Sequence, residues 1–191
     1  ARRRGLGARN EGAVSATPAQ SISAQAHEAL PHANPLTVAQ MEALIERAAR
    51  GNPGTVLEIG CGPGSFALGV AARCEACVTA LDTNLLFLAR ARRAAADRAL
   101  RGTLTFELRP AAEHDGRLSE VVACLGASQA FGTPREALRR VAALVPPGGR
   151  VLFAELTWVA PPPPTFLEFL GVEASFYWSP EEAAEIFDDA G

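Results

Sequence analysis

The sequence predicts an α/β protein built on a doubly wound, mainly parallel sheet, and three observations predict it. Five short apolar runs alternate with helical stretches from residue 55 onward, the order that builds a parallel sheet. The first, fourth and fifth runs are nearly continuous rather than alternating, as strands covered on both faces are. A turn with three glycines at alternate positions joins the first run to the helix after it, which marks a nucleotide-type crevice.

Taken in order, residues 1–33 are rich in Gly, Ala, Ser, Pro and Gln without periodicity and read as a flexible tail. Residues 34–191 read as one domain. Arg2, Arg3 and Arg4 open the tail, but no apolar stretch of about 7–15 residues follows, which argues against a secretory signal. Thr37-Val38-Ala39-Gln40 fits a capping box, with Val38, Met41, Leu44, Ile45 and Ala48 at helical spacing and Gly51 closing that helix. The strands are expected at Thr55–Ile59, Cys77–Leu81, Leu104–Leu108, Glu120–Leu125 and Val151–Trp158. Between them the helices are expected at Ser65–Arg73, Leu85–Leu100 and Pro134–Leu144. The last opens Thr133-Pro134-Arg135-Glu136, a cap followed by proline at the first helical position and glutamate at the third. Pro161–Pro164 is an extended break before a short helix at Thr165–Leu170. Ser179-Pro180-Glu181-Glu182 then starts a helix running through Phe187, with Gly191 as its stop.

Composition removes several functions. The chain has 191 residues and a formal net charge of −3, and all 18 of its basic residues are arginine. Without lysine there is no Schiff-base chemistry and no Walker A phosphate lysine. The mild acidity argues against a nucleic-acid partner held by a basic surface. No apolar run approaches the ~20 residues of a membrane helix, so no membrane partner is expected and the default location is cytoplasmic. Cys61, Cys74, Cys77 and Cys124 do not form a disulfide framework in a chain this long. Cys74 and Cys77 have C-x-x-C spacing but lack a second pair or a nearby histidine, so no metal site is expected.

The segment Val56-Leu57-Glu58-Ile59-Gly60-Cys61-Gly62-Pro63-Gly64-Ser65-Phe66 carries the most chemistry. A dinucleotide fingerprint G-x-G-x-x-G would need glycine at position 65, where Ser65 stands. What remains is E-x-G-x-G-x-G. A carboxylate two residues before the first glycine repels a pyrophosphate but suits a ligand with an ammonium and a sulfonium group.

Glu58-Ile59-Gly60-Cys61-Gly62-Pro63-Gly64 resembles motif I of the class I S-adenosylmethionine-dependent methyltransferases. Val78-Thr79-Ala80-Leu81-Asp82 is similar to the family's second element, a strand ending in a carboxylate, here 18 residues after Gly64. Leu144-Val145-Pro146-Pro147-Gly148-Gly149-Arg150-Val151-Leu152 resembles its Pro-Gly-Gly turn ahead of strand five. The segments Asn34-Pro35-Leu36, Cys124–Gly132 and Glu155–Trp158 look like a bacterial subgroup of uncertain substrate. The resemblance implies a Rossmann-like fold, S-adenosylmethionine as cofactor and S-adenosylhomocysteine as product. It also implies cofactor contacts at Glu58, Gly60, Cys61, Gly62, Gly64, Asp82, Thr83, Ala112, Glu113, Gly126 and Ala127, with Asp82 on the ribose hydroxyls.

Two departures qualify the carry-over. Pro110 or Ala111 stands where the family usually places an aspartate for the adenine amino group, which leaves Glu113, slightly further along, as the substitute. The chain also stops before the family's C-terminal antiparallel hairpin, so the domain is expected to be incomplete there. Strand five would then be an open edge able to pair with another copy. Glu155, Gln129 and Trp158 are the candidate catalytic or acceptor-binding residues. The implied activity is methyl transfer to a small-molecule acceptor by in-line displacement, for which a general base is optional. The alternatives are a non-catalytic or truncated S-adenosylmethionine-binding module and, disfavoured by Ser65, an NAD-dependent oxidoreductase.

Overall fold

The computed structural model describes residues 15–189. The tail's opening arginines and Gly191, the expected helix stop, lie outside them. Five strands, β1 (Thr55–Ile59), β2 (Cys77–Asp82), β3 (Thr103–Leu108), β4 (Val121–Leu125) and β5 (Arg150–Ala154), form one sheet in the order β3-β2-β1-β4-β5. Every pairing is parallel. The direction of winding reverses between β1 and β4, which opens a crevice at their carboxyl ends.

The helices cover both faces. These are α1 (Pro18–Ala26), α2 (Val38–Ala49), α3 (Ser65–Arg73), α4 (Leu85–Ala96), α5 (Pro134–Ala142), α6 (Pro164–Leu170) and α7 (Pro180–Asp189). Alternation along β1 divides the core. Val56 joins Val78, Ala80, Val121 and Ala123 on the face packed by Met41 and Ile45 of α2, Phe66 and Val70 of α3 and Leu88 of α4. Leu57 and Ile59 join Leu81, Val122 and Cys124 on the face covered by Val141 of α5. The central strands are thus buried on both sides, and their near-continuous apolar sequences follow from that.

Helix ends match their sequence signals. Thr37 and Gln40 close a reciprocal capping box on α2, and Thr133 and Glu136 do so on α5. Three differences concern extent. The first is α4, expected to Leu100, which ends at Ala96 because the amides of Arg101 and Gly102 donate to Ala71 O and pull the chain toward α3. The second is β5, expected to Trp158. It ends at Ala154, and the chain turns away to an isolated bridge between Thr157 and Trp178.

The third is a correction to the tail. Residues 18–26 form α1, closed by a capping box between Thr17 and Gln20. Gln20 Nε2 donates to Thr83 O (2.6 Å) and Asn84 Nδ2 donates to Gln20 O (3.0 Å). Arg90 donates to the carbonyls of His27 (2.9 Å) and Leu30 (2.7 Å). These bonds fasten the segment across the carboxyl end of β2 and the first turn of α4. Among the described residues no helix is long and apolar enough to cross a membrane.

Candidate active site

The glycine turn begins where β1 ends. Cys61 N donates to Leu81 O (2.9 Å), which carries the β1–β2 pairing one residue into the turn. Gly60, Gly62 and Gly64 all have positive φ, at +68°, +53° and +83°, a region that side chains with a Cβ resist. Space matters as well. A Cβ on Gly60 would overlap the methyl of Ala127, so the turn after β1 lies directly against the loop after β4. At Gly64, the cap of α3, a Cβ would come within 2.9 Å of Ala91 Cβ and 3.0 Å of the Phe106 ring. That glycine sets helix packing and does not face the crevice.

Asp82 closes β2 and organises the turn. Its Oδ2 accepts from the Gly62 amide (2.7 Å) and its Oδ1 from the Asn84 amide (2.7 Å). Asn84 in turn caps α4 by accepting from Leu86 N (3.0 Å). Burial pushes the Asp82 carboxyl above its ordinary value, and the backbone amides around it pull the other way.

Above this turn lies a cavity of about 570 Å³. Asp82, Thr83, Arg109, Pro110 and Ala111 wall one end, and Gly60, Gly126, Ala127 and Gln129 the other, with α1 along the outside through Gln20, Ser23 and His27. Asn34 Nδ2 donates to Leu125 O (3.1 Å) and ties the segment after α1 to the end of β4. A larger groove of about 800 Å³, beside Arg47, Arg50, Gly149 and Arg150, lies at the opposite end of the sheet. The cavity at the carboxyl ends is the candidate site, because ligands of open parallel sheets bind where the winding reverses.

Glu58 sits beneath the turn on the α3 face of β1. It is 4% exposed, and its Oε2 accepts from Ala67 N (3.1 Å). Burial pushes its pKa from 4.5 up to about 8; the Ala67 amide opposes that rise and the nearby Asp82 adds to it. Cys61 is buried beside it, and burial, with help from both carboxylates, raises its thiol far above the ordinary range. The Cys124 thiol, buried in β4, is pushed up to about 12. Neither thiol is a nucleophile at neutral pH.

The expected residues therefore separate. Gly60, Gly62, Asp82, Thr83, Gly126, Ala127 and Gln129 line the main cavity. Glu58 and Cys61 line a much smaller one behind the turn, together with Gly60, Gly62 and Gly126. Ala112 and Glu113 fall on a 3₁₀ turn (Ala111–Glu113), are exposed and do not line the main cavity. Glu155 stands past β5, also away from that cavity. Its Oε1 accepts from Leu156 N (2.9 Å) and its Oε2 is buried without a hydrogen-bond partner. Trp158 donates its indole N–H to Ala174 O (2.9 Å), packs edge-on against Tyr177 and faces a separate groove. The α1 residues, Asn84, Phe87 and Arg109 complete the wall of the main cavity and were not expected there. For α1 the signal was present, since Thr17-Pro18-Ala19-Gln20 repeats the Thr-x-x-Gln form of the cap on α2.

A parallel sheet ordered 3-2-1-4-5, a glycine turn after β1 and an acid closing β2 define a Rossmann-like protein with its ligand crevice at the switch point. Residues 57–151 match the family model of a methyltransferase domain, and the fold around them is the Rossmann-like fold of S-adenosylmethionine-dependent methyltransferases. No curated protein matches the sequence closely enough to count as a relative. Among solved structures, it is similar to YjhP from E. coli, with 28% identity and a TM-score of 0.74 over 90% of this chain and 70% of that one. It shares its fold with two methyltransferases solved with S-adenosylhomocysteine. The one from Geobacter sulfurreducens has 24% identity and a TM-score of 0.75, over 92% of this chain and 71% of that one. The one from Thiobacillus denitrificans has 24% identity and a TM-score of 0.77, over 89% and 70%.

Proposed function

We propose that the protein transfers the methyl group of S-adenosylmethionine to a small-molecule acceptor by in-line displacement, releasing S-adenosylhomocysteine. The observation that carries this reading is the main cavity, where the glycine turn, Asp82 and the Gly126-Ala127 loop meet at the switch point. The residues fit that cofactor. Gly60 and Gly62 put bare backbone at the wall. Each Asp82 oxygen accepts one amide and keeps a lone pair for a ribose hydroxyl. Glu58, raised to about 8 by burial behind the turn, would be drawn back toward its charged form by the cofactor's ammonium group.

When bound, S-adenosylmethionine supplies a methyl carbon on a sulfonium, and its departing fragment is a neutral thioether. The protein's own task is then to orient the acceptor and exclude water. Gln129, at the Gly126 end of the cavity, is the polar side chain that orients the acceptor, while α1 covers the outer side. Calorimetric titration of S-adenosylhomocysteine into the whole chain tests the reading. Saturable binding at micromolar concentration is expected, and absence of binding to folded protein would sink it.

A further inference from the structure

Resting on that cofactor reading, the end of the cavity beyond Asp82 has side chains suited to hold a purine from its acceptor side. Asp82 is the one carboxylate among the described residues lining the cavity, and its oxygens hold backbone amides and, on that reading, the ribose hydroxyls. Past β3 the wall is Arg109, Pro110 and Ala111, with Glu113 turned out to solvent. No acid is therefore available in the wall to take the protons of a 6-amino group. A strong donor stands there instead.

Arg109 is held in place at this wall. Its amide donates to Asp82 O (3.1 Å), which continues the β2–β3 pairing, and its Nη2 pairs with Glu107. Its Nε is buried and has no hydrogen-bond partner. A buried guanidinium N–H without an acceptor is costly, and native structures seldom keep one without a use. Adenine's 6-amino group is itself a donor and cannot satisfy it. A purine ring nitrogen or a 6-oxo group can.

We propose that Arg109 is the residue that selects the nucleobase, and that it holds the purine through its acceptor atoms rather than through its exocyclic amine. A cofactor whose 6-amino group is replaced by oxygen should then bind about as well as the natural one. An acid in the same place would reject it, because its oxygens would face the keto oxygen.

The test compares S-adenosyl-L-homocysteine with S-inosyl-L-homocysteine by calorimetric titration into the whole chain and into Arg109→Gln. The wild type is expected to bind the two within about threefold of each other. The variant is expected to lose about tenfold or more for both compounds, the size of one hydrogen bond to a charged group. A wild-type preference of tenfold or more for the adenosyl compound would overturn the inference while leaving the cofactor reading standing. A loss of less than about threefold for both compounds in the variant would also overturn it. Neither compound binding would overturn the cofactor reading and this inference together. Should Arg109→Gln fail to fold, the wild-type ratio alone decides.

Discussion

Replacing Glu58 by glutamine should remove most of the pH dependence of stability between pH 5 and 8. The folded state raises the Glu58 pKa from 4.5 to about 8, so over that interval it binds a proton that the unfolded chain releases. Stability therefore falls as pH rises through this window, is unaffected below it and carries the full penalty above it. At about 1.4 kcal/mol for each pH unit the ceiling is about 5 kcal/mol. Relaxation around the small cavity behind the glycine turn lowers this, so an expected loss is about 2–4 kcal/mol between pH 5.5 and 8.5. In Glu58→Gln the side-chain oxygen keeps the Ala67 amide as partner, and no charge has to be buried. Asp82, also raised by burial, gives a slope of the same sign but remains in both proteins, so the readout is the difference between them. Urea unfolding at pH 5.5, 7.0 and 8.5 measures it. The variant should gain on the wild type steadily with pH, and parallel curves would refute the reasoning.

Three further outcomes follow from named contacts. Gly60→Ala places a methyl on that of Ala127 at a φ of +68°. A stability loss of about 2 kcal/mol or more is expected, with partial recovery in the Gly60→Ala, Ala127→Gly pair, read by urea unfolding. Asp82→Asn leaves one of the Gly62 and Asn84 amides facing an NH₂ group. S-adenosylhomocysteine affinity should fall about 10- to 100-fold by calorimetry, since a charge-assisted hydrogen bond is worth about 1.5–3 kcal/mol. Arg150→Met removes a guanidinium that donates to the carbonyls of Arg47, Ala48 and Arg50 and joins the end of α2 to β5. Chemical denaturation should show a loss of about 1–3 kcal/mol, with cofactor affinity unchanged because these bonds lie at the other end of the sheet.

The sheet and the cavity's central residues were legible in the sequence because each leaves a one-dimensional trace. A strand buried on both faces must be apolar throughout, as Val121–Leu125 is. A backbone turning at positive φ against another loop must carry glycine, as Gly60 does. The outer wall leaves a weaker trace. Helix α1 buries no residue of its own, so it has no apolar stripe for periodicity to find. It is held by Gln20, Asn84 and Arg90 bonding to main-chain carbonyls, and neither composition nor hydropathy records such bonds. Arg109 was hidden for a related reason. The family pattern directs attention to an acid after β3, and at Pro110 or Ala111 there is none. The chain at Pro110 turns into the 3₁₀ segment, which carries Glu113 outward and leaves the preceding arginine on the wall. What fills the core follows the hydrophobic pattern, whereas what walls the ligand depends on single polar contacts between distant residues. A ligand titration therefore tests this wall more directly than any stability measurement can.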